Sequence, residues 1–144
     1  MWRIVIALLL LVHGLISGAQ SFGSFGSTAS VGLANPSWLS WWPTKMGQSW
    51  LLTILGMDNR IVFGLIGLLW LVAMLCFVAA GLGLLGIVGN HDWWRGLAIA
   101  GAVVELLVLV LFFHPLYLPV TFINAGIIVA LYWANFPSEV ALGA

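Results

Sequence analysis

Four stretches of this chain, running from about Ile4 to Ala19, Ile61 to Gly86, Trp94 to Phe113 and Leu116 to Trp133, are nearly unbroken apolar sequence. A helix needs about 17 to 25 predominantly apolar residues to cross the hydrocarbon of a bilayer, so each stretch qualifies as a span. Only 6% of the residues are charged against 63% hydrophobic, where a soluble domain carries about 25% charged residues. Lipid is therefore the expected solvent. The expected fold is an all-α bundle of four transmembrane helices, forming a single membrane domain over residues 1–144. Short polar links, GNHDWWR and HPLYLP, join the last three spans, which makes sequential helices antiparallel neighbours.

The connection between the first and second spans, residues 20–60, is longer. Its Gly/Ser/Phe-rich beginning reads as irregular chain. Trp38, Trp41, Trp42 and Trp50 then gather beside SWLLTILG, which is too short to span. Tryptophan favours the headgroup layer, so Pro43 to Gly56 is expected to lie on the membrane as one or two helical turns, with these four residues as interfacial anchors.

The first span also reads as a signal peptide: Arg3 precedes the apolar run, and Ser17-Gly18-Ala19 resembles a cleavage site. A retained helix is the favoured reading, because its removal would strand the polar stripe described next. With four spans both termini share a side. Arg3 and Arg95 then face Lys45 and Arg60, a tie under the positive-inside rule. Arg3 tips the expectation to cytoplasmic termini, for a multi-pass protein of the inner (cytoplasmic) membrane.

Polar groups inside the spans are few. His13 lies ten residues beyond Arg3, and Glu105 ten beyond Arg95; at 1.5 Å per residue both reach about 15 Å into the membrane. Asn124 falls near the middle of the fourth span. His13, Ser17 and Gln20 share one helical face, as do Tyr117, Thr121 and Asn124, while Glu105 shares a face with Ala98, Gly101 and Ala102. Small residues let helices approach closely. The pattern predicts a pocket open to the non-cytoplasmic side, with Glu105, His13 and Asn124 at its floor and Ser17, Gln20, Thr121 and Tyr117 as its walls. A carboxyl group at that depth must be protonated, paired or hydrated, and a Glu/His pair is able to share one proton. Static interhelical glue is the competing expectation.

Other chemistries lack residues. One cysteine, Cys76, gives no disulfide and no redox pair, and with Met74 it reads as helix packing. His13 has no histidine at its own depth to complete a haem site, and His91 and His114 sit at span ends, where water or headgroups are the ordinary neighbours. Gly64, Gly67, Gly81, Gly83 and Gly86 suggest close helix contacts, and Asp92 with Arg95 a solvated turn. No hydrolase, metalloprotease or nucleotide-binding motif occurs, and a net charge of zero gives no basis for nucleic-acid binding. No cofactor and no metal site are expected.

LLLLVHGLI in the first span, NRIVFGLIGLLWLVAMLCFVAAGLGLL in the second, WWR before the third and INAGIIVALYW in the fourth resemble a family of small four-helix bacterial membrane proteins with an HGLIH-type first-helix motif. The first span is also loosely similar to that of DoxX-like proteins. The resemblance implies a compact four-helix membrane protein with His13 and Gly14 at the motif's His-Gly. Ser17 follows Ile16 where a second histidine often stands, so a two-histidine metal site is not implied. For function, the favoured class is a non-enzymatic accessory or self-associating membrane component, with other membrane subunits or further copies of itself as partners. The alternative is a small-molecule binder or proton-coupled carrier built on the midplane residues; a redox or quinone-linked enzyme ranks third, since no second histidine or cysteine is placed to hold a cofactor.

Overall fold

The structure is a computed structural model that describes residues 2–26, 35–45, 48–89 and 91–142. Six α-helices occur among them: α1 Trp2–Gly26, α2 Trp50–Ile54, α3 Asn59–Leu84, α4 Trp94–Leu111, α5 Leu118–Ile128 and α6 Glu139–Leu142. A turn at Pro115–Tyr117 leads into α5, and a wider turn of helix at Val129–Trp133 extends it. Four helices are long and apolar enough to cross a membrane: α1, α3, α4 and the unit from Pro115 to Trp133. The fold is the all-α four-helix membrane bundle that the apolar runs specify.

Burial explains the order of packing. Along α1 the buried positions are Ala7, Leu10, Gly14, Ser17, Gly18 and Ser21, a stripe at helical spacing made mostly of small residues. It lies on α3, whose buried stripe is Val62, Ile66, Trp70, Ala73, Phe77, Ala80 and Leu84. Small side chains set the distance: a Cβ on Gly81 would stand 3.0 Å from the carbonyl oxygen of Ala7 and 2.8 Å from Leu11, and one on Gly14 3.0 Å from the Cβ of Phe77. Gly64, by contrast, has no neighbour within 4 Å of that point and takes no part in a close crossing. Helix α4 also packs on α3, and α5 on α4. Leu8, Leu15, Leu75, Val110 and Phe122 point outward, as lipid-facing side chains should.

The helix ends are closed by identifiable groups. Asp58 accepts from the amide of Arg60 at 2.7 Å to start α3. Helix α3 stops at Gly86, whose φ of +75° suits glycine; the amide of Ile87 bonds the Leu82 carbonyl and that of Gly86 the Gly83 carbonyl, each at 2.9 Å, the paired closure of a Schellman turn. Arg3 adds a bond from Nε to the carbonyl of Leu84 at 2.5 Å. Arg95 bonds Asn135 Oδ1 at 2.7 Å and the carbonyl of Pro137, tying the C-terminal segment to the start of α4. Arg95 is thus a tether rather than a solvated residue, while Asp92 in the turn before it is exposed, as expected.

Two further expectations are corrected. SFGSFG, read as irregular, continues α1 to Gly26, because Ser21 donates to the Gly67 carbonyl at 2.8 Å and Phe25 covers the hydrogen face of Gly67. Residues 27–34, the rest of that segment, lie outside the described residues. His114, expected to meet water or headgroups, is 1% exposed. The reason is the long loop, which folds back over it. Asn35 donates to the carbonyls of Trp42 and Thr44, both at 3.1 Å, so its Oδ1 is left to accept from His114 Nε2 at 3.1 Å. Nδ1 of His114 accepts from the amide of Leu116 at 3.3 Å. Both ring nitrogens are thereby satisfied in the neutral form, and burial holds the imidazole below its ordinary pKa. The side chain of His91 lies outside the described residues.

Within Pro43–Gly56 the expected helical turn is α2, Trp50–Ile54, and among the described residues the rest of that stretch is non-helical. The first-turn cap of α2 is Ser49, which accepts from the Leu52 amide at 3.0 Å and donates to the Leu111 carbonyl at 2.7 Å. Trp38, Trp41 and Trp50 are exposed, as anchors would be. Trp42 is half-buried against Phe113 and His114, so it packs the loop rather than anchoring it in lipid.

Candidate functional site

Three helices bring four polar side chains into the centre of the bundle. His13 and Ser17 come from α1, one turn apart on the same side of the helix; Glu105 comes from α4, and Asn124 from α5. Glu105 and Asn124 are fully buried, Ser17 is 1% exposed, and the His13 side chain keeps 14% exposure. The equal depth of His13 and Glu105 inferred from their distance to Arg3 and Arg95 is realised as direct contact. His13 Nε2 lies 3.0 Å from Oε2 of Glu105 and 3.3 Å from Oδ1 of Asn124. Asn124 Nδ2 donates to the same Oε2 at 2.7 Å and to its own helix at the Val120 carbonyl, 3.1 Å away. Ser17 Oγ reaches Oε1 of Glu105 and, at 2.9 Å, the carbonyl of His13.

The network orients itself. Two acceptors around Asn124 Nδ2 identify that atom as the amide nitrogen, so Oδ1 faces His13. Nε2 of His13 then faces two acceptors and must carry the proton. Both oxygens of Glu105 have partners, one shared by His13 and Asn124, the other held by Ser17. Phe77 of α3 closes the remaining side, edge-on to the imidazole with ring centres 4.7 Å apart. Gly101, one turn before Glu105, leaves room for Phe77: a Cβ there would sit 3.1 Å from its ring.

Ser17 makes the carboxyl group competent in two states. With Glu105 ionised, Ser17 donates to Oε1, and Oε2 receives the N–H groups of His13 and Asn124. With Glu105 protonated on Oε1, that O–H donates to Ser17 Oγ while the serine proton turns to the His13 carbonyl. With His13 neutral, neither state strands a buried donor, and an unmade bond there would cost about 1–3 kcal/mol. Uptake of a proton needs only the rotation of one hydroxyl.

The remaining expected wall residues stand apart. Gln20 is exposed, one position off the buried stripe that passes through Ser17 and Ser21. Thr121 bonds its own helix at the Tyr117 carbonyl, 3.0 Å away, and Tyr117 packs beside His114 with the apolar cluster of Val108, Leu109 and Phe112. The cavity reached from the cluster also runs the other way from the one expected. It is a groove of about 530 Å³ between α1 and α5, with His13 at its inner end and Trp94, Phe136 and Pro137 toward the end that carries the termini. Its cause is visible in the packing: α5 rests along α4 and stands away from α1.

As ligands, His13 and Glu105 are two donors on one side of the cluster, fewer than the three or four protein ligands of a zinc site. Among the described residues no group of three His, Cys, Asp or Glu side chains converges. Ser21 and Asn35 were not anticipated as structural polar groups. The Asn-Pro pair at Asn35 and Pro36 was the available turn signal, but the carbonyls it binds are visible only in the fold. No family model, no curated protein and no solved structure matches the chain.

Proposed function

We propose that this chain is a non-enzymatic, multi-pass membrane protein that binds a proton, and with it a small molecule, at the Glu105 cluster. One observation supports this reading above others: the buried carboxyl group of Glu105 is fully hydrogen-bonded whether ionised or protonated, because Ser17 has a second acceptor in the His13 carbonyl. A purely structural contact needs one satisfied state. The cluster also adjoins a groove rather than a sealed core, which gives a ligand a place beside the proton. In this reading the protein works in the cytoplasmic (inner) membrane with its termini on the cytoplasmic side, the ends marked by Arg3 and Arg95.

The test is infrared difference spectroscopy of the protein in lipid nanodiscs during a pH titration. The expected result is a carboxylic C=O band that appears on acidification and vanishes in Glu105→Gln. A carboxyl group locked in one form across the range, with the fold intact, removes the proposal.

A second reading, an accessory or self-associating subunit, is favoured by the fourth span. Only 6% of its apolar window is buried, against 33% or more in the other three. Native mass spectrometry of the protein drawn from its own membrane in mild detergent separates the two: additional chains at fixed ratio support the subunit reading, whereas a monomer carrying a small-molecule adduct supports the binder.

A further inference from the structure

The groove between α1 and α5 has His13 at its inner end, the indole of Trp94 toward the termini and otherwise apolar walls. Ile6, Leu10 and Ile16 line it from α1, and Ile123, Gly126 and Ile127 from α5. A volume of about 530 Å³ falls within the roughly 300–1,000 Å³ of small-molecule sites. His13 is the member of the proton cluster that reaches it. Its Nε2 is committed to Glu105 and Asn124, and among the described residues Nδ1 has no partner.

The state of that ring selects the ligand. In an apolar environment the cluster without net charge is favoured: either neutral His13 beside protonated Glu105, or imidazolium beside carboxylate. The ion pair would leave an Nδ1–H without an acceptor among the described residues, and a stranded N–H is the rarer and costlier orphan. The neutral pair leaves only an Nδ1 lone pair. A molecule whose polar end reaches His13 in the groove must therefore donate to it.

We propose that the groove is a binding site for an elongated, largely apolar molecule bearing one terminal O–H group, such as an alkylphenol or long-chain alcohol, entering from the bilayer and donating to Nδ1 of His13. This rests on the reading of the Glu105 cluster as a proton site and adds the class of molecule beside it. The hydroxyl docks on Nδ1, Nε2–H stays on Glu105, and the alkyl body replaces lipid chains along Ile6, Leu10, Ile123 and Ile127.

The test compares para-nonylphenol with para-nonylanisole, which has the same body without the donor, binding to the full chain in nanodiscs. The phenol should bind about tenfold more tightly, as one net hydrogen bond in an apolar site predicts, and should shift the ¹⁵N resonance of His13 Nδ1. Gly126→Leu is the control for location: a Cβ at Gly126 meets nothing within 4 Å, so the variant folds and fills the groove, and binding of both probes should fall. Equal affinity for the two probes overturns the proposal, as does phenol binding that Gly126→Leu leaves unchanged. If either occurs while the Glu105 infrared band still titrates, the ligand assignment fails and the proton site stands; loss of the titrating band removes both.

Discussion

Ser17 and Glu105 form the pivot of the molecule: a serine hydroxyl against Oε1 of a fully buried carboxyl group, with a carbonyl of its own helix 2.9 Å away as an alternative acceptor. Ser17→Ala removes the pivot without changing volume much. It should destabilise the fold by about 1–3 kcal/mol, the cost of leaving a buried polar atom unpaired. Unfolding by SDS titration in bicelles measures this, and a stability equal to that of the parent protein would show that Oε1 finds another donor.

Glu105→Gln and Glu105→Leu should separate charge from hydrogen bonding. Glutamine copies the protonated carboxyl: its oxygen still accepts from His13 and Asn124, and its NH₂ faces Ser17. Leucine leaves those groups without their acceptor. The leucine variant should therefore be the less stable of the two by on the order of 1–3 kcal/mol, read by the same titration.

Gly81→Val tests the crossing of α1 and α3. The added Cβ would lie 3.0 Å from the Ala7 carbonyl, and backbone there cannot yield as a side chain can. Overpacking of this kind costs about 1–3 kcal/mol. Gly64→Val, on the same helix but with open space around its Cβ position, should be close to neutral.

The loop closure should respond to acid through His114. Burial depresses the folded-state pKa below the ordinary 6.5, so the unfolded chain takes up a proton first as pH falls. Stability from this residue is complete above about 6.5 and declines as pH drops from there through the folded-state value. Protonating Nδ1 would also break the bond from the Leu116 amide. Unfolding midpoints against pH should thus fall more steeply on the acid side for the parent protein than for His114→Gln.

Asn35→Ala should release the same loop by a different route. It removes two donors to Trp42 and Thr44 and the acceptor for His114. Hydrogen exchange should accelerate for amides in residues 37–45, while exchange around Ser17 and Glu105, which belong to other contacts, should stay as it was.

Much of the centre is legible in the sequence. Helical rise alone put His13 and Glu105 at one depth, and the small-residue face of Ala98, Gly101 and Ala102 turned Glu105 inward. The length of α1 was not legible, since Ser and Gly are poor helix formers and the acceptor that holds Ser21 belongs to Gly67, forty-six positions away. Nor was the direction of the groove: it depends on α5 leaning on α4 and leaving α1, a matter of interhelical angle that no single face records. His114 at a span end read as a wetted residue because the segment that covers it, Asn35 to Thr44, looks like ordinary loop.

The four crossings are unequal in length. The spans at Trp2–Phe25 and Arg60–Leu84 have 24 and 25 residues, and those at Trp94–Leu111 and Pro115–Trp133 have 18 and 19. At 1.5 Å per residue that is about 36 to 38 Å for one pair and 27 to 29 Å for the other, on either side of a hydrocarbon layer about 30 Å thick. The long pair packs together and the short pair packs together, so one flank of the molecule is taller than the other. Lipid meeting the tall flank must thicken or the bundle must lean, and lipid meeting the short flank must thin. Ser49 and Trp50, by taking the carbonyls of Leu111 and Val110, close the end of the shorter α4 with protein. The shorter flank of α4 and α5 is thereby finished by protein, and the two flanks call for lipid of different heights.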